Sequence, residues 1–539
     1  MNLTARFDNP VLTKELRTLM RDRRAYWMLF SYVMLLSLVL CGTYFMWHQV
    51  WAHGYQAISA NPVGRYLFTA LFTAQAILIC LMTPTLAAGK ITLEREQRTF
   101  ELLLLTMLKP REVVVGKLLS AFAFAVLLIT ASLPLAGICF MMGGVSEGEI
   151  AAVYLLLLAS SLFFSSLGIL ASAALRSTTA ATATTYLTGL FLFGVTGVAA
   201  GGGQEVVFSA VNPVGAVRNA LATPPLFRWQ VVAWIPALVV LILAALLATA
   251  GAIHRLEEGV SDRPGTLRWL TYLLFCVLAV GIIGNIAGSA GRTTGGGGIQ
   301  GTAAILGGCL LVPLAVLALL FCSGDSAEAL GLPAAAGRQG PAAGSRLGRL
   351  LRSRLFTGGY AWGPAYVLLL FVTGAVLLSS SFWLAGHQTW ILELDAILAV
   401  LTVVFATVAC YGAAARFFST LMPSRFQAIS VTLGVLLLLA LAPLVYYVYW
   451  DPGSAPAHAL LAETLQANPV MALLAIGTSA GWWSRSVPPL WAGQEGAWVV
   501  TVLFYLALAT LFELGRLRRL AACRRQSTSP RLPSEAAGQ

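Results

Sequence analysis

Three carboxylates, two threonines and a leucine pair stand close together in one short charged segment: Glu94, Glu96, Thr99, Glu101, Leu102, Leu103 and Thr106. Pro110 and the pair Gly116-Lys117 follow. Glu94 and Glu96 fall in the first turns of a helix, where its dipole favours anions, and Phe100, Leu103 and Leu104 give that helix an apolar face. Lys109-Pro110 breaks it, and Pro110 opens a second helix with Glu112 in its first turn. The chemistry open to such a run is ionic docking at a watery surface. A solvated charged connector is the plainer reading, and the ordered spacing argues against it.

Other reactive residues form weaker patterns. His48 and His53 share a loop with Trp47 and Trp51, but no Cys or carboxylate stands beside them to complete a metal site. Glu393 and Asp395 precede an apolar run and fit a headgroup boundary, and Trp482, Trp483, Trp491 and Trp498 fit an aromatic belt. Neither Gly89-Lys90 nor the run Gly295 to Gly298 meets the spacing of a phosphate loop. With no nucleophile, base or metal constellation, the expectation is a protein that is not an enzyme and binds no cofactor directly.

The elements that must position these residues are membrane helices. Of the 539 residues, 58% are apolar and 10% charged, far below the ~25% charged of soluble domains. Twelve stretches approach the ~20 apolar residues that cross a bilayer: 25–46, 66–89, 118–142, 150–175, 180–200, 231–253, 269–288, 302–322, 364–386, 396–415, 427–450 and 497–515. Met471 to Trp482 is too short to cross. The first stretch follows a basic start, as a signal peptide would, but it exceeds an h-region and no cleavage pattern follows it, so it reads as a permanent span.

Charge placement gives the topology. With both termini cytoplasmic, 29 of the 34 Lys and Arg fall on the cytoplasmic side, and only Arg65, Arg218, Arg228, Arg292 and Arg485 lie opposite. This accounts for the net charge of +12 without nucleic acid. All eight cysteines lie in spans or the tail, so no disulfide framework is implied.

The expected fold is therefore all-α: a polytopic transmembrane helical bundle of about 12 spans in two six-helix halves, a multi-pass protein of the inner (plasma) membrane. Residues 1–24 read as an interfacial amphipathic helix, with Asn9 as cap, Pro10 in the first turn, Leu12, Leu16, Leu19 and Met20 on one face and Lys14, Arg17, Arg21 and Arg24 on the other. A basic flank that merely sets orientation is the alternative. Residues 25–255 form the first unit, with a cytoplasmic helix over 92–106. Residues 256–516 form the second, degenerate unit with a flexible linker over 323–363, and 517–539 a basic tail. A weak repeat joins the halves: Asn212-Pro213-Val214 follows the fifth span and Asn468-Pro469-Val470 the eleventh.

The segment from Glu94 to Lys117 resembles the permeases of type-2 ATP-binding-cassette transporters, the ABC-2 type. Their pattern Glu-x-Glu-x-x-Thr-x-Glu-Leu-Leu-x-x-Thr, before Pro and Gly-Lys, matches at Glu94, Glu96, Thr99, Glu101, Leu102, Leu103, Thr106, Pro110, Gly116 and Lys117. The resemblance extends to the interfacial helix, the six-span unit through residue 255 and the Asn-Pro loop. It implies a transmembrane permease, an exporter, in which these residues couple to a separate cytoplasmic ATPase that alone handles ATP. The second half departs from the pattern, since 323–363 holds no Glu-rich helix. Two halves could complete a pore in one chain, whereas a single coupling helix suggests pairing with a second permease chain, identical or different. An ion-coupled secondary transporter is the alternative, but it needs ionisable groups at mid-membrane, and Lys117, Arg416 and Glu513 lie near span ends.

Overall fold

The computed structural model describes residues 10–21, 23–52, 63–99, 110–201, 207–227, 229–257, 265–290, 299–324, 362–384, 394–422, 427–435, 468–469, 472–473 and 497–528. Glu101, Leu102, Leu103, Thr106, most of the 323–363 linker, the eleventh expected span beyond residue 435 and the end of the tail lie outside them. Among the described residues, ten helices are long and apolar enough to cross a membrane. The fifth expected span is not among those ten, although a helix does form there over Thr178–Gly201. The chain is an all-α multi-pass membrane protein, and its contacts divide into two compact units, Met1–Gly281 and Ile282–Gln539.

In the first unit α1 (Pro10–Arg21) precedes the long α2 (Arg23–Ala52). Pro10 opens α1 at the position where its missing N–H costs nothing, and Val11 is buried while Lys14, Arg17 and Arg21 are exposed. α3 (Val63–Ala88) continues through a turn into the short α4 (Thr92–Glu96). α5 (Pro110–Ala131) breaks at Ser132 before α6 (Leu133–Met141), then α7 (Glu147–Ala174), α8 (Thr178–Gly201), α9 (Pro213–Asn219) and α10 (Trp234–Glu257) follow, and α11 (Gly265–Ala290) contains the division at Gly281. A two-stranded hairpin, β1 (Pro225–Leu226) and β2 (Trp229–Gln230), sits between α9 and α10, with Phe227 at φ +55 in its turn.

α7 is the centre of this unit and packs on α3, α5, α8 and α10. Its buried face carries small residues, among them Ala152, Ala159, Ser160, Ser165, Gly168 and Ser172. Apolar lipid gives helices no hydrophobic reason to associate, so such faces hold by close backbone approach. A Cβ at Gly168 would lie 2.7 Å from the Ala87 Cβ and 3.1 Å from the Ala88 nitrogen. Large apolar side chains elsewhere, including Phe30, Leu38, Phe45, Leu187, Leu190 and Phe191, are exposed, as lipid contact requires.

The ends of α7 are fixed separately. Ser146 accepts a hydrogen bond from the Glu149 amide at 3.2 Å, capping the helix. The buried Glu149 takes the Arg65 guanidinium at 2.9 Å, which gives one of the five arginines on the sparsely charged side a partner.

In the second unit α12 (Ile299–Cys322), α13 (Gly363–Leu384), α14 (Leu394–Ser419) and α15 (Ala497–Thr528) are described. α14 packs on α12 and α15. Arg416 of α14 pairs with Glu513 of α15, which also accepts from Arg516 at 2.7 Å. Phe417 covers Gly515, where a Cβ would approach its ring to 2.8 Å.

Candidate functional site

Of the expected helix over 92–106 only 92–99 is described, and there the helix covers Thr92–Glu96. α4 ends at Glu96, and the reason is its C-terminal cap. Arg98 takes the left-handed conformation at φ +58, its amide bonds back to the Arg95 carbonyl at 3.1 Å, and the Thr99 amide reaches the Glu94 carbonyl at 2.9 Å. This pair of bonds is a Schellman closure. The Thr99 hydroxyl adds a third contact to the Glu94 carbonyl at 3.2 Å, which gives the motif threonine a local role as a helix stop. Arginine in place of glycine at this φ costs about 1 to 2 kcal/mol.

Four charges surround α4. The Lys117 ammonium, only 1% exposed, contacts Glu94 Oε1 at 2.7 Å, the Lys90 carbonyl at 2.9 Å and Glu15 Oε1 at 3.4 Å. Its three N–H groups thus have three acceptors. Lys90 donates to Glu15 Oε2 at 2.7 Å and to Ser120 Oγ at 3.0 Å. Two ammonium groups and two carboxylates therefore balance inside the protein, where an unpaired charge would be costly. Burial alone would raise the Glu15 carboxyl, but the Lys90 hydrogen bond and charge, with Lys117 behind them, hold it below the ordinary carboxylate value.

The rest of α4 is tied to α7 and α8. Ser172 Oγ accepts the amides of both Ile91 and Thr92 at 3.0 Å. Arg95 donates to the carbonyls of Ala173 and Leu175 at 3.1 Å, groups that the end of α7 leaves open. Glu96 accepts from the Thr178 amide at 2.7 Å and its hydroxyl at 2.6 Å, so it caps α8 from outside the helix. Residues 90–99 are thus fixed to α1, α5, α7 and α8 together. The outward surface consists of Leu93, half exposed, with Glu96, Gln97, Arg98 and Thr99.

The sequence-predicted residues divide accordingly. Glu94, Thr99 and Lys117 converge at α4, Glu96 turns to α8, Pro110 opens α5, and Gly116 is buried within it. Asn212 and Asn468 lie elsewhere, each buried and each with a carbonyl that accepts the amide four residues on, from Ala216 at 2.8 Å and Ala472 at 2.9 Å. Pro213 is the first residue of α9, and Pro469 is buried and helical. Asn212 also caps α9 through Val214 and ties it to α8 through Phe193 and Thr196. Sequence reasoning missed Glu15, Lys90, Arg95, Ser172 and Thr178. Glu15 had a signal: it is the one carboxylate in an otherwise basic amphipathic helix.

Residues 52–254 match the family model described as ABC-2 family transporter protein. No curated protein and no solved structure matches the chain.

Proposed function

We propose that this chain, whose first unit carries the ABC-2 transporter domain over residues 52–254, is the membrane-spanning subunit of an ATP-driven exporter whose ATPase is a separate polypeptide. The observation that carries the reading is the attachment of residues 90–99. One short segment on the basic side holds bonds to α1, α5, α7 and α8, so a push on its outer surface moves four helices at once. A carboxylate in a solvated connector would have no need of a buried lysine partner.

The basic side is the cytoplasm by the positive-inside rule, which puts α4 where an ATPase can reach it. Docking falls to the outward residues Leu93, Gln97, Arg98 and Thr99 and to the adjoining stretch Glu101 to Thr106. Glu94 serves as an internal tie, and Glu96 ties α4 to α8 at the surface. ATP binding and hydrolysis reside on the partner, and a second permease chain completes the assembly.

The test is capture of the ATPase and stimulation of its turnover by the reconstituted full chain. Leu93→Asp with Arg98→Glu reverses polarity at the outer surface without touching the internal ties, and is expected to weaken capture by at least about tenfold. Unchanged capture at equal membrane abundance would refute docking through this segment.

A further inference from the structure

A cavity of about 490 Å³ opens beside α4, lined by Arg95, Glu96, Ala173, Ala174, Arg176 and Arg255. We propose that it is a site for the phosphate group of an anionic lipid headgroup. The three arginines come from three separate elements: the α4 segment, the turn between α7 and α8, and the last turn of α10. They converge on one space with a single carboxylate among the described lining residues. That carboxylate, Glu96, is held by the Thr178 amide and hydroxyl, and its one negative charge leaves the three arginines of the lining in excess.

The arrangement is built rather than incidental. Arg95 is anchored by its two bonds to the Ala173 and Leu175 carbonyls, and the Arg176 charge lies near enough to act on it unfavourably. Two guanidinium groups held near one another are relieved by an anion between them. A phosphate group suits three guanidinium groups, whose planar forks pair with its oxygens, whereas a protein carboxylate, with two oxygens, is satisfied by one fork. Among the described residues, the lining offers no aromatic or large apolar side chain against which a nucleotide base would stack.

Position favours lipid as the source. The cavity lies at the ends of α7 and α10, helices that cross the membrane, which sets it at headgroup depth on the basic side. The cytoplasmic leaflet carries the anionic lipids to which such charges respond. The occupant would bridge α4, the α7–α8 turn and α10. This inference stands whether or not the chain couples to an ATPase.

The experiment measures lipid retention by the purified full chain in native mass spectrometry, with phosphatidylglycerol against phosphatidylcholine. Wild type is expected to retain phosphatidylglycerol selectively. Arg176→Gln with Arg255→Gln should weaken that retention at least about tenfold, and Arg176→Lys with Arg255→Lys should recover only part of it because charge returns without the fork. Arg95 is left intact because it holds α7. Unchanged elution in size exclusion shows that the variants are folded. Millimolar inorganic phosphate should displace the selectively held lipid; a thermal shift with inorganic phosphate and none with lipid would keep the phosphate site and place its source in solution. Equal phosphatidylglycerol retention by wild type and the Gln variant, with no phosphate effect, would overturn the proposal. So would a Gln variant that loses only ATPase capture, which would make the cavity a protein-docking surface.

Discussion

The Lys117 ammonium lies 2.7 Å from the Glu94 carboxylate, inside the protein and not at its surface. A lysine near the end of an apolar span thereby becomes the post on which the charged α4 segment is hung.

Severing that pair should destabilise the first unit. Glu94→Gln leaves Lys117 with Glu15 at 3.4 Å and the Lys90 carbonyl, so the loss should fall below the ~3 to 5 kcal/mol typical of an isolated buried pair. The apparent midpoint of thermal unfolding in detergent is expected to drop. Glu94→Gln combined with Lys117→Met, which removes the stranded charge, should recover much of it. If the double variant is worse by the sum of the two single ones, the pair does not contribute as a pair.

Acid should loosen α1. The folded Glu15 carboxyl is held below its ordinary value, so its contribution is complete above the unfolded carboxylate range near pH ~4.3 and is lost as the pH falls through the lower folded value. Hydrogen exchange over residues 10–21 is expected to quicken below about pH 4. In Glu15→Gln it should already be fast at neutral pH and gain little more on acidification. An identical pH profile in the two proteins would rule the device out.

These two ties also mark how far a sequence can be read. Ten of the spans were legible because a bilayer demands ~20 apolar residues whatever their neighbours, and α1 was legible from Pro10 and its facial charge segregation. The partner of Lys117 was within reach, 23 positions away in the same segment, but Glu15 lies 102 positions from Lys117 and 75 from Lys90. Nothing local selects one distant carboxylate over another. The end of α4 at Glu96 was hidden for a different reason: the Arg98 backbone reversal that closes it is a conformation seldom adopted by arginine. Glu96 is exposed, as the sequence implies, and what the sequence hid is its bond to Thr178, because tertiary packing brings the start of α8 to it.

Two glycines should respond oppositely to alanine. At Gly64 a Cβ would run into the Gly143 carbonyl oxygen and come within 2.7 Å of the Cys139 carbonyl, both backbone atoms that cannot rotate aside. Gly64→Ala is expected to cost more than the ~1 to 3 kcal/mol of ordinary overpacking and to lower the yield of monodisperse protein. Gly137 meets nothing within 4 Å, and Gly137→Ala should be neutral or gain up to about 1 kcal/mol. Similar yields for the two would refute the close α3–α6 approach.

Asn212 both accepts and donates, and two substitutions separate those functions. Its oxygen takes the Val214 amide at 2.9 Å while its Nδ2 reaches the Phe193 carbonyl at 2.9 Å and Thr196 Oγ1 at 3.1 Å. Asn212→Ala loses both, at about 2 kcal/mol. Asn212→Asp keeps the cap but turns a buried carboxylate oxygen toward a carbonyl, so it should be the more damaging of the two at neutral pH and improve when acid protonates it. Thermal unfolding of both variants at pH 5 and pH 7.5 checks the order, and an Asp variant better than Ala at neutral pH would contradict it.

The Glu15 contacts impose an order of manufacture. When α1 leaves the ribosome its carboxylate has no basic partner to meet: Lys90 arrives 75 residues later and Lys117 a further 27. At roughly 5 to 20 residues per second, the helix waits on the order of 5 to 20 s before its lock exists. Two further spans must be threaded into the bilayer in that interval. The N-terminal helix is thus made first and fastened late, and a truncated chain ending before Lys90 would leave its carboxylate without either lysine.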